Sequence, residues 1–369
     1  MPIDDLNRKA FTEETITKLD IFEEYLETWL PTFINHNYIK EANVFDLFAG
    51  SGTDSEGNPG SPLRIIKVIE SYKDQIIDKN FIIKLYFNEI NKRKFENLKK
   101  CTYGKIDEIL KDYININYYN EDFKNIFFDK IPFFKDKANL MILDQNGIKQ
   151  ITPKVLLMLD EFSTTDFIFF ISSSFLNRFG NSNEFKRYLP NMDISKLRES
   201  EYTDIHRVIL EYYKEILLKN SNIKLYSFSL KKGSNIYGII FGSKHPFGVD
   251  KFLRIAWKKN ELNGEANFDI DKDRFKHSNQ LVLFPWMQNL TKIENFEKEL
   301  GEFLLEEDRT NKEVYDFTLE HGHIPRHAHI VVKKLKIENK MIYSGRCCIS
   351  YDKCYNHNNR EIKIFRRVL

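Results

Sequence analysis

Residues 46 to 52, which read Asp-Leu-Phe-Ala-Gly-Ser-Gly, have the composition of a ligand-binding turn that follows a short apolar run. Gly50 and Gly52 allow positive φ angles and let a ligand come close to the main chain. Asp46 offers a carboxylate to a cationic or hydroxyl-bearing ligand at the end of the run. The segment therefore predicts a ligand site at the carboxyl end of a β-strand, which is where open α/β sheets bind ligands.

The spacing around these glycines distinguishes among the cofactors that such turns bind. A P-loop is disfavoured because its lysine is missing and residues 51 to 57 contain two acids. A dinucleotide fingerprint is disfavoured because position 55 holds serine in place of glycine or alanine, and because the acids would repel a pyrophosphate. The segment resembles the Asp/Glu-x-Phe-Ala-Gly-x-Gly turn of class I methyltransferases, whose cofactor S-adenosylmethionine (SAM) carries an ammonium and a sulfonium. The alternative is an ordinary surface turn after a core strand.

Four predicted strands each end in an acidic residue, and these residues are Asp46, Glu89, Asp122 and Asp144. Helical segments separate the strands, which is typical of a parallel sheet. Parallel strands place their carboxyl ends at one edge, so we expect the four carboxylates to line one crevice. Taken singly, each acid is more often a helix cap or a turn residue.

Apolar spacing predicts the elements that position these acids. A helix over 17–30 ends before Pro31, and a helix over 63–72 has Ser61 as its cap. The pattern predicts an α/β, class I methyltransferase-like (Rossmann-like) fold with a mostly parallel sheet and an antiparallel edge hairpin. The other elements are strands over 81–87, 114–119, 139–143 and 166–171, helices over 91–100, 202–218 and 252–258, and a hairpin over 223–230 and 236–242.

Length and composition suggest two domains. The chain has 369 residues, of which 42% are hydrophobic and 30% charged, and its net charge is +2. The polar start, the short apolar runs and the four cysteines predict a cytoplasmic protein without a signal peptide, a membrane span or a disulfide framework. The predicted parts are a helical lead-in over 1–40, a methyltransferase-like α/β domain over 41–248, a helical and irregular connection over 249–307 and a C-terminal module over 308–369.

Residues 308–369 form the basic end of the chain, with 13 Lys and Arg against 7 Asp and Glu. A helix over 314–319, a turn over 321–323, a basic helix over 325–337 and a strand over 341–343 follow the pattern of a winged helix-turn-helix. Such a module can lay its second helix in a DNA major groove or dock a protein. Nucleic acid and protein partners therefore both stay open for this region.

Several stretches resemble the three-Cys-motif partner (TcmP) family, whose members look like SAM-dependent methyltransferases. They are residues 45–52, 60–63, 87–89, 237–248, 252–258 and 267–269, and within them Lys244-His245-Pro246 is the most specific part. The resemblance covers nearly the whole chain. It implies a separate partner protein that bears three cysteines and resembles radical-SAM enzymes. Cys347, Cys348 and Cys354 of this chain are not that motif.

The resemblance also implies which residues hold SAM. The acid at the end of the first strand and the backbone of the glycine turn would bind the methionine end. The acid after the second strand would accept both ribose hydroxyls, and the acid after the third strand would accept the adenine amine. These expected cofactor-binding residues are Asp46, Phe48, Ala49, Gly50, Gly52, Glu89 and Asp122.

Asp144 is the candidate general base, with Gln145 and Asn146 as orienting groups, and a turn that caps the next helix is an equal alternative. Relatives are expected to carry Asp-Pro-Phe/Tyr-Gly here, whereas residues 144–147 read Asp-Gln-Asn-Gly. Without the proline and the aromatic ring, methylation of a base amino group is disfavoured, and altered or lost catalysis becomes an alternative. His245 is a candidate for the acceptor pocket because histidine titrates near neutral pH, and its alternative is a structural turn.

Two functions from different classes stay open. The first is a SAM-dependent methyltransferase whose acceptor is a nucleic acid, a partner protein or a small molecule. The second is a non-catalytic SAM-fold subunit, or nucleic-acid-binding adaptor, that recruits its partner through residues 308–369. No metal site is predicted, because the cysteines or carboxylates of a zinc site are missing at tight spacing around His321, His323, His327 and His329.

Overall fold

The computed structural model describes residues 10–145, 147, 149–172, 188–192, 204–217, 221–233, 235–275 and 290–368. Asn146, which was predicted as an orienting group, lies outside the described residues. The chain divides into two compact units, Met1–Lys244 and His245–Leu369. Among the described helices, none has the length and apolar composition needed to cross a membrane.

A seven-stranded sheet forms the centre of the first unit. Its strands are β1 Glu41–Asp46, β2 Ile82–Asn88, β3 Ile114–Tyr119, β4 Ala138–Leu143, β5 Thr164–Ser172, β6 Lys224–Lys232 and β7 Asn235–Ser243. The strand order is β3-β2-β1-β4-β5-β7-β6. Strands β1 to β5 pair in parallel, and β7 is antiparallel to both β5 and β6. The predicted mostly parallel sheet with an antiparallel edge hairpin is therefore confirmed.

The central strands are apolar and buried, as expected for a parallel sheet with helices on its faces. Every residue of β4 is buried, and so are all residues of β1 after Glu41. The helices of this unit are α1 Glu13–Ile34, α2 Ser61–Ser71, α3 Lys73–Asp78, α4 Lys92–Thr102, α5 Phe123–Asn125, α6 Pro153–Asp160 and α7 Ile205–Ile216.

Helix α1 continues through Pro31 to Ile34, so the prediction that it ends before Pro31 is wrong. Proline has no N–H to donate to the carbonyl four residues earlier, which belongs to Glu27. The Tyr72 hydroxyl donates to that carbonyl at 2.7 Å. A side chain from outside the helix thus replaces the missing helical hydrogen bond.

The second unit contains a winged helix-turn-helix. In chain order its elements are α8 Pro246–Lys259, α9 Lys292–Glu306, β8 Arg309–Thr310, α10 Asn311–Glu320, α11 Pro325–Ile337, β9 Met341–Ile342, α12 Tyr351–Cys354 and β10 Ile364–Arg367. The three strands form a sheet of order β8-β10-β9, in which β10 is antiparallel to both neighbours. The predicted winged-helix fold at the C-terminal end is confirmed, and α11 has the predicted bounds.

Helix α8 is fixed to the winged helix-turn-helix by two polar contacts, of which one is buried and the other partly buried. The Tyr315 hydroxyl of α10 donates to Asp250 Oδ2 of α8 at 3.1 Å. The Trp257 indole N–H of α8 donates to the Gly322 carbonyl at 2.9 Å, in the turn between α10 and α11. Because buried polar groups are costly when unpaired, these contacts specify how α8 packs on the module.

Candidate cofactor site

Asp46 is the last residue of β1 and is fully buried. Its Oδ1 accepts a hydrogen bond from the Phe48 N–H at 3.2 Å, and its Oδ2 accepts one from the Ser61 hydroxyl at 2.6 Å. Burial raises the pKa of Asp46 to about 7 against the effect of these two bonds, and the nearby carboxylates of Asp144 and Glu89 add to the rise. Asp46 therefore organises the turn from beneath and does not project into solvent.

Ser61 begins helix α2, and the cap of that helix is Gly60, so the prediction of Ser61 as the cap is wrong. Its hydroxyl is engaged by Asp46 and is not available to the helix backbone. The Gly60 N–H donates to the Gly52 carbonyl at 2.8 Å. Together these bonds hold the start of α2 beside the glycine turn.

The glycine turn has the left-handed backbone that its residue types predict. The φ angles are +64° at Gly50 and +84° at Gly52. A Cβ added to Gly52 would lie 2.1 Å from Cys101 Sγ of α4, so this position excludes a side chain for steric as well as conformational reasons. The Ala49 N–H donates to the Asn88 carbonyl at 2.9 Å, which holds the turn against the end of β2.

Asn88 is a buried cross-link that the sequence did not single out. Its Nδ2 donates to the Leu47 carbonyl at 3.2 Å, and its Oδ1 accepts from the Glu121 N–H at 3.2 Å. It thus joins the loops that follow β1 and β3 from the end of β2. A polar residue that ends an apolar strand directly before Glu89 is the signal that could have found it.

Glu89 and Asp122 follow the neighbouring strands β2 and β3. Glu89 Oε1 accepts from the Asn91 N–H at 2.7 Å, and its Oε2 has no hydrogen bond to any described residue of the chain. Asp122 Oδ1 accepts from the Lys124 N–H at 2.8 Å and caps α5. The alternative role of Asp122 as a helix cap therefore accounts for its Oδ1 atom. Both side chains remain partly exposed at the edge of the sheet.

An aromatic wall lies between the glycine turn and Asp122. The Phe48 ring stacks on Phe123 with centroids 5.0 Å apart and an interplanar angle of 26°. Phe123 stacks in turn on Phe127 at 5.2 Å. Phe48 is half-buried, whereas the other two rings are buried. The sequence predicted a role only for the Phe48 backbone, yet its ring offers an apolar surface to a flat ligand.

Asp144 follows β4 and forms an ion pair with Lys18 of α1. The exposed fractions of the two side chains are 12% for Lys18 and 25% for Asp144, so the pair is largely shielded from solvent. Lys18 Nζ also lies 4.6 Å from the ring centroid of Phe170 on β5. Sequence reasoning missed Lys18 because it lies 126 residues earlier in the chain, in the region predicted as a helical lead-in.

Gln145 is buried and makes all its side-chain hydrogen bonds with the main chain. Its Oε1 accepts from the N–H groups of Gln150 and Ile151 at 2.9 and 3.2 Å, and its Nε2 donates to the Phe170 carbonyl at 3.3 Å. The amide thus ties the loop after β4 to β5. The structure places it in the support of the loop that carries Asp144.

His245 lies in the second unit, where it is the cap of α8. Its Nδ1 accepts a hydrogen bond from the Phe247 N–H at 3.2 Å, so this nitrogen has the structural role that the turn alternative predicts. Burial lowers the pKa of His245, and the Lys251 ammonium adds to the effect. Within the part of the chain that the structure describes, no three His, Cys, Asp or Glu side chains are grouped to hold a metal ion.

The four acids predicted to line one crevice follow four neighbouring strands of the parallel part of the sheet. Asp46 ends β1, and Asp144 follows β4, which pairs with β1 in parallel. The strand order runs outward in both directions from this pair, which makes it a topological switch point. Glu89 and Asp122 extend the acidic edge along β2 and β3. This edge suits a ligand that carries positive charge and hydroxyl groups.

One protein family and several solved structures are similar to parts of this chain. Residues 267–345 match a family described as "GMT-like wHTH domain", a winged helix-turn-helix. No curated protein sequence matches the chain significantly. One similar solved structure is a proposed rRNA methylase from Clostridium thermocellum. The two sequences are 10% identical, the match covers 63% of this chain and 100% of that chain, and the TM-score is 0.32. A second is a SAM-dependent methyltransferase from Aquifex aeolicus, at 11% identity over 63% of this chain and 99% of that chain, with a TM-score of 0.28.

A third similar structure is geranyl diphosphate C-methyltransferase from Streptomyces coelicolor A3(2) in complex with S-adenosyl-L-homocysteine, at 12% identity over 66% of this chain and 83% of that one, with a TM-score of 0.28. The strand order and the antiparallel strand β7 define the first unit as a methyltransferase-like Rossmann fold. The second unit carries a winged helix-turn-helix.

Proposed function

We propose that this chain is a SAM-dependent methyltransferase whose cofactor lies across the carboxyl ends of β1 to β3. The observation that carries the proposal is the positive-φ glycine turn, supported from beneath by the buried Asp46 and placed at the switch point of the sheet. Open α/β sheets bind ligands at this point. The acids along the edge favour a cofactor with an ammonium and a sulfonium over one with phosphates.

The residues present fit SAM part by part. The backbone of the glycine turn would receive the methionine end, within the negative field of Asp46. Glu89 has one carboxylate oxygen held by Asn91 and the other available for the ribose hydroxyls. Phe48 would pack against the adenine, and Asp122 would accept its amine with the oxygen that does not cap α5.

SAM supplies a methyl group that its sulfonium already activates, so the protein has mainly to position the acceptor. Asp144 follows β4, the strand that pairs with β1, and is the candidate base. In the resting site its carboxylate is paired with Lys18. An acceptor that displaces Lys18 from this pair would free the carboxylate to take the proton of the nucleophile.

Calorimetric titration of SAM into the wild type, Glu89→Ala and Asp46→Asn tests the cofactor site. We expect the wild type to bind and Glu89→Ala to lose at least about tenfold in affinity, or about 1.4 kcal/mol. Glu108→Ala is the matched control, because this glutamate is 83% exposed and forms an exposed ion pair with Lys111. A folded wild type that binds no SAM would overturn the proposal.

The proposed partners rest on the resemblance to the TcmP family and on the basic C-terminal end, and the methyl acceptor stays open among nucleic acid, protein and small molecules. We propose membership of that family, action with a radical-SAM-like three-Cys protein, and contact with a macromolecule through residues 308–369. The alternative is a non-catalytic SAM-fold subunit, which the missing proline and aromatic ring after Asp144 favour. Transfer of label from methyl-labelled SAM to nucleic acid, protein or small molecules distinguishes the two, since the non-catalytic subunit binds SAM without transfer.

A further inference from the structure

Exposed apolar side chains concentrate at the C-terminal end of the second unit. Fourteen large apolar side chains are exposed among the described residues, and six of them lie between residues 330 and 368. Monomeric soluble proteins rarely expose large contiguous apolar patches, so those of the six that share one surface are candidates for an interaction site. The six are Ile330, Ile337, Ile342, Ile362, Ile364 and Val368.

Ile364 of β10 and Ile342 of β9 lie on one face of the three-stranded sheet, and Ile362 and Val368 lie within two residues of β10 in the chain. Within β10, Ile364 and Arg366 are exposed and the intervening Phe365 is fully buried, so Ile364 and Arg366 lie on the side of the strand opposite Phe365; Arg367 is exposed as well. Ile342 of β9 pairs with Arg366 and therefore lies on the same side. The exposed fractions of the four aliphatic side chains are 43 to 62%. We call Ile342, Ile362, Ile364, Arg366 and Val368 the wing face.

The wing face belongs to the most basic part of the module. Residues 326–368 contain 11 Lys and Arg against 3 Asp and Glu, whereas residues 290–320 contain 4 against 10. Arg366 lies within the aliphatic row itself. Its neighbour Arg367 is engaged elsewhere, because its guanidinium donates to the Glu306 carbonyl at 2.6 Å. A complementary surface would thus present acids around an apolar centre.

We propose that the wing face docks an amphipathic helix of a partner protein, with aliphatic side chains along its centre and acidic side chains at its margins. An apolar sheet face is covered most simply by a helix laid across it. Nucleic acid fits less well, because phosphates bind to hydrogen-bond donors and bases stack on aromatic rings, whereas the wing face has one cation and no aromatic ring. The proposal goes beyond methyl transfer and does not depend on SAM.

Fluorescence anisotropy with the full chain tests this docking. The probe is a labelled helix-forming peptide with a leucine stripe flanked by glutamates, and its control is a scrambled peptide of the same composition without the stripe. A labelled DNA duplex and a labelled RNA duplex are measured in parallel. The informative variants are Ile342→Lys and Ile364→Lys, because each removes apolar surface and adds positive charge. Ile109→Lys, at a position 58% exposed in the first unit, is the matched control.

Docking of an acidic amphipathic helix and binding of nucleic acid predict opposite results for these variants. We expect the striped peptide to bind at least about tenfold more tightly than the scrambled one. Ile342→Lys or Ile364→Lys should lower the affinity for the striped peptide at least about tenfold, whereas Ile109→Lys should leave that affinity unchanged. If a DNA or RNA duplex binds more tightly than the striped peptide, and if the added lysines preserve or strengthen that binding, the proposal is overturned in favour of nucleic acid. Equal binding of both peptides, no peptide binding, or loss only of self-association in a sedimentation experiment would overturn it as well.

Discussion

The Ser61 hydroxyl donates a 2.6 Å hydrogen bond to Asp46 Oδ2, and this bond connects the end of β1 to the first residue of α2. It is one of two hydrogen bonds that oppose the effect of burial on the carboxyl group. Because both oxygens of Asp46 are bonded inside the protein, the residue acts on a ligand through its charge and through the shape of the turn.

Ser61→Ala should destabilise the protein more at pH 8 than at pH 5. The substitution removes a donor to a buried carboxylate, which costs about 1 to 3 kcal/mol when that group is ionised. With a folded pKa of about 7, Asp46 is mostly protonated at pH 5 and requires the donor less. Urea unfolding at both pH values measures the difference. Ser71→Ala at the other end of α2 is the control, since that hydroxyl donates only to the Val68 carbonyl.

SAM affinity should rise with pH between about 6 and 7.5. The pKa of Asp46 is raised from 3.8 to about 7, so the folded protein holds a proton there that a cationic ligand must displace. Binding a cation lowers this pKa, and the ligand therefore binds better as the free protein loses the proton. Calorimetry in buffers of different ionisation enthalpy should detect proton release near pH 6.5. Asp46→Asn should abolish both the release and the pH dependence.

Gly52→Ala tests the contact between the turn and α4. We expect a loss of about 2 to 4 kcal/mol in the free energy of unfolding, from the strain of a positive φ and from the clash with Cys101 Sγ. In a Cys101→Ala background the clash disappears and about 1 to 2 kcal/mol should remain. Gly57→Ala is the matched control, because its φ is +85° and a Cβ there would meet nothing within 4 Å. Equal losses at the two glycines would contradict the proposed contact.

Lys18→Met and Asp144→Asn should show coupling in a double-mutant cycle of stability. The pair is largely shielded from solvent, so removing one partner leaves a poorly solvated charge. We expect a coupling energy of about 1 to 3 kcal/mol. The exposed pair Lys111 and Glu108 should give about 0.2 to 1 kcal/mol in the same cycle. If the two coupling energies are equal, Lys18 does not anchor Asp144.

The sequence predicts the parts of this site that depend on local residue types. The glycine turn and the acids after the strands follow from strand patterning and backbone rules, and the structure places them as predicted. The Lys18 ion pair and the Asn88 cross-link could not be predicted, because they depend on which side chains of distant segments meet. For the same reason the use of the Ser61 hydroxyl by Asp46 was missed.

In the second unit the sequence contained a signal that our prediction did not use. Helix α9 starts with a capping box formed by Thr291 and Glu294, whereas we predict from the sequence a helical and irregular connection over 249–307 and do not place this helix. Strand β10 has four residues and is separated from β9 by loops and the short helix α12, so its pairing is set by tertiary contacts more than by pattern. The pairing of β10 with β9 places Ile342 beside Arg366, and the sequence alone does not predict that these residues share a face.

His323 and His327 should make the second unit sensitive to acid. Their Nδ1 atoms lie 3.0 Å apart, and the Trp257 ring packs against His327 with centroids 4.3 Å apart. Burial lowers the pKa of His323 far below its usual range and that of His327 to about 4, with Lys292 adding positive charge near both. The unfolded chain therefore binds more protons than the folded protein between about pH 4 and 6.5, and stability falls as the pH falls through this window.

The size of this effect can be measured with a matched pair of variants. From the pKa of His327, and allowing for the partial exposure of its side chain to solvent, we expect this residue to lower the free energy of unfolding by about 1 to 2 kcal/mol between pH 7 and pH 4.5. His327→Gln should remove this share of the pH dependence in urea unfolding of the full chain, and the share that comes from His323 should remain. His357→Gln, at an exposed position, should leave it unchanged. A His327→Gln protein as acid-sensitive as the wild type would show that other groups cause the loss.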